Sequence, residues 1–228
     1  MFAYVPARGG SKRIPRKNVR PLGGKPLLER VIEQLRLTPG LAGVAVSSED
    51  SEILALAEKA GATTLCPRDA ALADDTTGFM DLVRRDAPRF SAHFCDDDVL
   101  FVTATAALVT SASYSEALAR HKGNESGLTM AVTVFDRSPM LALTGDPRLS
   151  LAALFPEMYL KPTKDLPPCC FDAGCFYAFS IERASKRKKL IDLTPIRGVV
   201  LPNDVGIDLD TEADWHRLEE SFARRARD

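Results

Sequence analysis

Through its first half the chain alternates short apolar runs with segments patterned for amphipathic helices, and that alternation leaves few folds open. An apolar run, a helix-period segment and a further apolar run together predict βαβ units and a mostly parallel sheet. "FAYVPA" predicts a buried first strand. After Pro26, suited to a first helical position, Leu27, Leu28, Val31, Ile32 and Leu35 recur at helical spacing. "GVAVSS" predicts a second strand, "SEILALAEKAGA" a helix stopped at Gly61, and "TTLC" a short third strand before the loop "PRDAALADDTT". "DVLFVTAT" is almost continuously apolar and predicts a central strand, followed by the helix "YSEALARH" and the strand "GLTMAVTVF". The expected fold class is α/β, with one domain over residues 1–228.

Between Asp136 and Phe171 the periodicity fails in favour of prolines at 139, 147, 156, 162, 167 and 168. That stretch is too long for an ordinary loop, so 136–171 is expected to be a small inserted lobe or a subunit contact. "CFYAFSIE" and "RGVVLP" predict further strands, and "TEADWHRLEESFARRA" a last helix with Trp215, Leu218 and Phe222 on one face. The basic run Lys186 to Lys189 is expected on a solvated helix surface. Asp96, Asp97 and Asp98 are expected in a solvated turn, and His93, His121 and His216 at the surface.

Lys and Arg number 30 against 31 Asp and Glu, a balance that excludes a general nucleic-acid or membrane-surface binder. No apolar run approaches the ~20 residues of a membrane span. Five cysteines (Cys66, Cys95, Cys169, Cys170, Cys175), and an opening without a basic segment followed by an apolar one, predict reduced thiols in a cytoplasm. Cys169, Cys170 and Cys175 fit no common zinc spacing.

Within this neutral chain the charge is locally one-sided. Up to Leu28 there is no acidic residue, while Arg8, Lys12, Arg13, Arg16, Lys17, Arg20 and Lys25 are all cationic. Solvated loops rarely exclude acids so completely. Gly9 and Gly10 let backbone N–H groups approach an anion, and the loop leaves the carboxyl end of the first strand, where open α/β sheets bind ligands. The pattern is neither G-x-x-x-x-G-K-[ST] nor G-x-G-x-x-G, which argues against P-loop NTPases and dinucleotide enzymes. Cations so placed could neutralise a triphosphate and a departing pyrophosphate.

Near the other end, "GIDLDT" puts Asp208 and Asp210 two residues apart, on one side of an extended segment, where they could share a hard cation. Thr211 and Asp214 form a capping box, so acids here also favour the N-terminus of the last helix. Asp172 and Gly174, both disfavoured in strands, suit a loop lining a pocket.

"PARGGSKRIPRKN" with "GGKPLLERVIE", then "VAVSSEDSEILALAEKAGA", "PRDAALADDTT", "DAGCFYAF" and "GIDLDTEADW", resembles in order and spacing the CMP-sugar acid synthetases, the cytidylyltransferases of sialic, legionaminic and pseudaminic acids. The pseudaminate branch is the most similar. The resemblance implies a three-layer α/β/α Rossmann-like nucleotide-diphospho-sugar transferase fold, and a reaction of CTP with a nine-carbon 2-keto (nonulosonic) sugar acid to give CMP-sugar and pyrophosphate. It implies Mg²⁺ on Asp208 and Asp210, with Lys17 and Arg8 acting beside them in catalysis. Ala7, Arg8, Gly9, Gly10, Ser11, Lys12, Lys17, Asn18, Arg68 and Thr105 would bind the nucleotide, and Asp172, Gly174, Cys175 and Tyr177 the sugar. A homodimer is implied, with neither nucleic acid nor membrane as partner. Cys175 stands where the branch has glutamine, Ala178 where it has tryptophan, Ala107 where proline is usual and Phe79 where a hydroxyl residue is usual. These departures point to a changed acceptor pocket or to a CTP-binding protein without catalysis, and the shared fold would also permit an octulosonate-type acceptor.

Overall fold

Alternate residues of the first strand, β1 (Phe2–Pro6), go to opposite sides of a sheet: Ala3 and Val5 join one buried cluster, Phe2 and Tyr4 another. A strand buried on both faces needs helices on both faces, and the computed structural model, which describes residues 1–11, 13–65, 67–74, 77–124 and 126–227, supplies them. The chain continues through β2 (Pro21–Leu22), β3 (Lys25–Pro26), α1 (Leu27–Arg36), β4 (Val44–Ser47), α2 (Ser51–Lys59) and β5 (Thr63–Thr64). Next come α3 (Phe79–Arg85), α4 (Ala87–Phe94), β6 (Asp98–Val102), α5 (Ser111–Lys122) and β7 (Leu128–Val134). The remainder is β8 (Leu143–Asp146), β9 (Ser150–Ala153), α6 (Pro156–Tyr159), β10 (Cys170–Ser180), α7 (Ile181–Ser185), β11 (Ile196–Val200) and α8 (Glu212–Arg225). Helices α1, α2, α5 and α8 pack on the Ala3/Val5 face and α3, α4 and α7 on the Phe2/Tyr4 face, giving three layers.

Among the described residues the main sheet has seven strands in the order β11-β7-β10-β6-β1-β4-β5. β10 runs antiparallel to both neighbours; the other pairings are parallel. On α1 the five apolar residues of the helical stripe are all buried, each contributing roughly 1.5–3 kcal/mol. Asp50 caps α2 by accepting from the amides of Glu52 and Ile53 at 2.9 and 3.2 Å, worth about 1 kcal/mol. Thr211 and Asp214 form the expected capping box of α8, which buries Trp215 and Leu218.

Several expectations change. β10 begins at Cys170 rather than Cys175, so Asp172 and Gly174 lie within a strand. The ladder to β7 breaks there: five steps along β10, from Asp172 to Tyr177, oppose two along β7, from Val132 to Met130. Gly174, at φ 66°, allows this bulge, so an Asp-Ala-Gly sequence that reads as a loop forms an irregular strand instead. Helices α3 and α4 meet at Asp86, with Pro88 in the first turn of the second. His121 is not at the surface: it is 1% exposed, with Nε2 3.2 Å from Asp98 Oδ1. Nor are the neighbouring acids a free turn, since Asp96 pairs with the N-terminal amine and Asp97 accepts from the Ser180 hydroxyl and the Glu182 amide. Lys186 to Lys189 follow the end of α7 and are not on a helix.

Between β7 and β10 the chain leaves the main sheet to form the β8–β9 hairpin, which reverses after Asp146 through a turn closed by the Leu149 amide on Asp146 O at 3.0 Å, and then α6. Leu143, Leu149, Leu151, Leu154, Tyr159 and Leu160 of this excursion are exposed.

Candidate active site

The basic loop is held open by acids from the start of α2. The Ala7 amide donates to Ser47 O at 2.9 Å, which carries the β1–β4 register one residue past the strand and directs the loop over the carboxyl edge of the sheet. Arg16 adopts φ 54°, left-handed for a non-glycine, and its guanidinium is tied to Asp50 at 2.7 Å and to Glu52. Asn18 is buried and donates from Nδ2 to Arg8 O at 2.9 Å, closing the loop on itself. A Cβ on Gly9 would lie 2.3 Å from Asp50 Oδ2, so only glycine fits beside the cap of α2.

This loop forms one wall of a cleft of about 590 Å³. Of the nucleotide residues expected from sequence, Arg8, Ser11, Lys17, Asn18, Arg68 and Thr105 line it. Ala7, Gly9 and Gly10 do not. The Ala7 amide is committed to Ser47 and the Gly9 amide to Glu49 Oε1 at 2.7 Å, so the Gly9 N–H of the expected glycine cradle is already taken. Lys12 falls outside the described residues. The sequence reading missed Thr103 at the end of β6, whose hydroxyl donates to Gly174 O at 2.9 Å and accepts from Thr105 at 3.1 Å. Its signal was its place: a hydroxyl at the carboxyl end of a central strand.

The opposite wall comes from the segment after β11. Lys17 Nζ donates to Leu209 O at 2.6 Å, and Arg13 pairs with Asp210 at 2.7 Å, so the two ends of the sequence meet across the cleft. Burial lowers the Lys17 pKa despite the attraction of Asp208 and Asp210. Burial, then repulsion from Asp210, holds the Asp208 carboxyl above its usual range. Among the described residues Asp208 accepts no hydrogen bond. Two repelling carboxylates at the mouth of the cleft, Asp208 exposed and Asp210 half-exposed, are a donor set that a hard divalent cation would relieve, and they match what such an ion takes beside phosphate oxygens.

Asp208 also lines a second cleft of about 830 Å³, with Asp210, Asp172, Arg137, Phe135 and Phe171 around it. The expected sugar residues divide here. Asp172 lines this cleft and accepts from the Gly174 amide and the Tyr177 hydroxyl, both at 2.8 Å. Gly174 shapes the bulge, and the half-buried Tyr177, its pKa raised by burial and by Asp172, packs its ring against Phe79. Cys175 does not face the cleft: it is 2% exposed in the main core, its thiol on Ala173 O at 3.3 Å and its pKa pushed up to about 12 by burial. The bulge turns it inward. Phe79 likewise packs on Phe101, with ring centroids 4.1 Å apart, and on Tyr177.

A cation-lined cleft that shares one aspartate with a second, mixed cleft suits the joining of a nucleotide to another substrate, and comparison with known proteins gives the class. The cytidylyltransferase family model matches residues 2–142. A pseudaminic acid cytidylyltransferase of Campylobacter jejuni is 32% identical over 214 residues, covering 93% of this chain and 92% of that one. The chain belongs to the cytidylyltransferase family. A CMP-N,N'-diacetyllegionaminic acid synthase of Legionella pneumophila is 26% identical, covering 96% of this cytidylyltransferase and 94% of the relative. The solved structure of a CMP:2-keto-3-deoxy-manno-octonic acid synthetase complexed with CTP superimposes with a TM-score of 0.73 at 16% identity over 98% of both chains, which shows a shared fold. Among the described residues no helix is long and apolar enough to cross a membrane.

Proposed function

We propose that this cytidylyltransferase joins CTP to a nine-carbon 2-keto sugar acid, pseudaminic acid or a sialic-acid relative, releasing pyrophosphate. The observation that carries the reading is Asp208, the residue common to both clefts. The nucleotide lies in the cleft of Arg8, Lys17 and Arg68, and the acid in the cleft of Asp172, so the α-phosphorus and the anomeric hydroxyl meet beside Asp208 and Asp210. Arg8 and Lys17 neutralise the triphosphate and the charge that gathers on the leaving pyrophosphate. Asn18 keeps the Arg8 backbone in place. Asp208 and Asp210 would hold Mg²⁺, which supplies Lewis-acid charge stabilisation at the phosphates. The hydroxyl adds to the α-phosphorus as the bond to the β-phosphate oxygen breaks, and the hydroxyl proton leaves to solvent.

The departures at Cys175 and Phe79 support retained catalysis, because Cys175 is buried in the core and Phe79, half-buried, packs on Phe101 and Tyr177, so neither lines either cleft. We further propose a homodimer made through residues 136–171. The exposed leucines of the β8–β9 hairpin and of the segment after it suit burial against a second copy, which would complete the acceptor cleft.

The test is pyrophosphate release from CTP and Mg²⁺ with pseudaminic, legionaminic, sialic and octulosonic acids in turn. Release with a nonulosonic acid is expected, pseudaminic acid being the fastest. Release only with the octulosonic acid would move the substrate class, and CTP binding without release from any acid would make this a binding protein.

A further inference from the structure

Behind the wall of the nucleotide cleft lies a carboxylate to which the reading above assigns nothing. Glu49 stands between β4 and α2 and joins two parts of the nucleotide site distant in sequence: Oε1 accepts from the Gly9 amide at 2.7 Å, and Oε2 from Arg68 Nη2 at 2.9 Å. The Arg68 side chain is 3% exposed yet lines the cleft, whereas Glu49 and Gly9 do not. Arg68 Nε is buried without a hydrogen-bond partner among the described residues, a donor kept dry at the edge of a ligand cleft. Its backbone is fixed as well, the amide donating to Ser48 O at 2.9 Å. Among the described residues the carboxylate paired with Arg68 is Glu49.

We propose that Glu49 is a positioning residue for the nucleotide: its two oxygens fix the separation between the loop backbone at Gly9 and the Arg68 guanidinium, so that the cleft is set before CTP arrives. This rests on the cleft being the CTP site. Only a carboxylate of this length can accept from both donors. Glutamine would turn an NH₂ group towards one of them, alanine would leave both unpaired, and aspartate is one methylene short. Because Glu49 is not in the cleft wall, it acts through Arg68 and the loop and not by touching the nucleotide.

Steady-state kinetics on the full chain, with calorimetric titration of CTP, test this. Glu49→Gln should raise the KM and Kd for CTP by about 10- to 100-fold, the loss expected for a charge-assisted hydrogen bond turned into a donor clash, with kcat and the acceptor KM nearly unchanged. Glu49→Asp, which keeps the charge, should recover part of the loss. A Glu49→Gln protein that binds CTP like wild type, or one in which both KM values move together with a lowered melting temperature, would overturn the inference. Wild-type protein that binds no CTP would overturn the reading of the cleft itself, and the inference with it.

Discussion

On the nucleotide side of Asp208 the charged groups are braced by other parts of the same chain: Arg16 by Asp50 and Glu52, Arg68 by Glu49, Arg13 by Asp210, Lys17 by Leu209 O. The acceptor side is built differently. Its floor is a strand bulge, its wall includes the half-open ring pair Phe135 and Phe171 with centroids 4.8 Å apart, and the hairpin beyond exposes leucines, Leu149 to 84%. On the proposed assignment, the nucleotide site is braced within a single chain, so its affinity should depend on internal ion pairs. The other is open in a single copy, and its affinity should depend on what covers it.

The strongest way to break this contrast is at the shared residue. Asp208→Ala should lower pyrophosphate release by about 10³-fold or more, with the fold retained in circular dichroism. The same substitution should not lower the melting temperature at neutral pH. A carboxyl whose folded pKa is raised binds more protons folded than unfolded, so its contribution to stability falls as pH rises through that pKa, and removing it relieves the cost. Cation binding should likewise weaken on acidification at a higher pH than an ordinary aspartate would give.

A smaller effect separates the nucleotide cleft from the rest of the surface: Lys17→Ala should cut kcat/KM for CTP by about 10²-fold, whereas Lys188→Ala, outside both clefts, should leave it within about twofold. The acceptor side gives the converse. Leu151→Asp with Leu154→Asp should convert a dimer to monomer in analytical ultracentrifugation and raise the acceptor KM about 10-fold with the CTP KM unchanged. A wild-type protein that sediments only as monomer would remove the in-trans idea. Smallest of all on activity is Cys175→Gln, the residue of the related branch. It would place an amide in the core beside Tyr114, lowering stability by roughly 2 kcal/mol without changing which acid is used. A switch of acceptor in that variant would show that position 175 does reach the sugar.

What could be read in the sequence follows the same division. Leu27 to Leu35 and Val44 to Ser47 carry unbroken apolar patterns, so β1, α1, β4 and α2 are legible from local periodicity, and an acid-free run of seven cations marks the nucleotide loop. Glu49 is not legible. In sequence it is one more acid before a helix, and only folding brings it between Gly9 and Arg68. The bulge at Gly174 defeats a period-two reading, which is why Asp172 looks like loop and Cys175 looks like pocket. His121 and Asp98 meet across the bottom of the sheet, a contact between segments with no local signature. The short helices α3 and α4, interrupted around Asp86 and Pro88, have too few turns for their stripes to stand out.

Anomalous diffraction from crystals grown with CTP and Mn²⁺ in place of Mg²⁺ shows whether the two proposed clefts meet at a cation held by Asp208 and Asp210. A manganese peak between the Asp208 and Asp210 carboxylates, with the triphosphate alongside Arg8 and Lys17, is the expected result. Triphosphate bound with the manganese held elsewhere, and neither carboxylate near it, would contradict it.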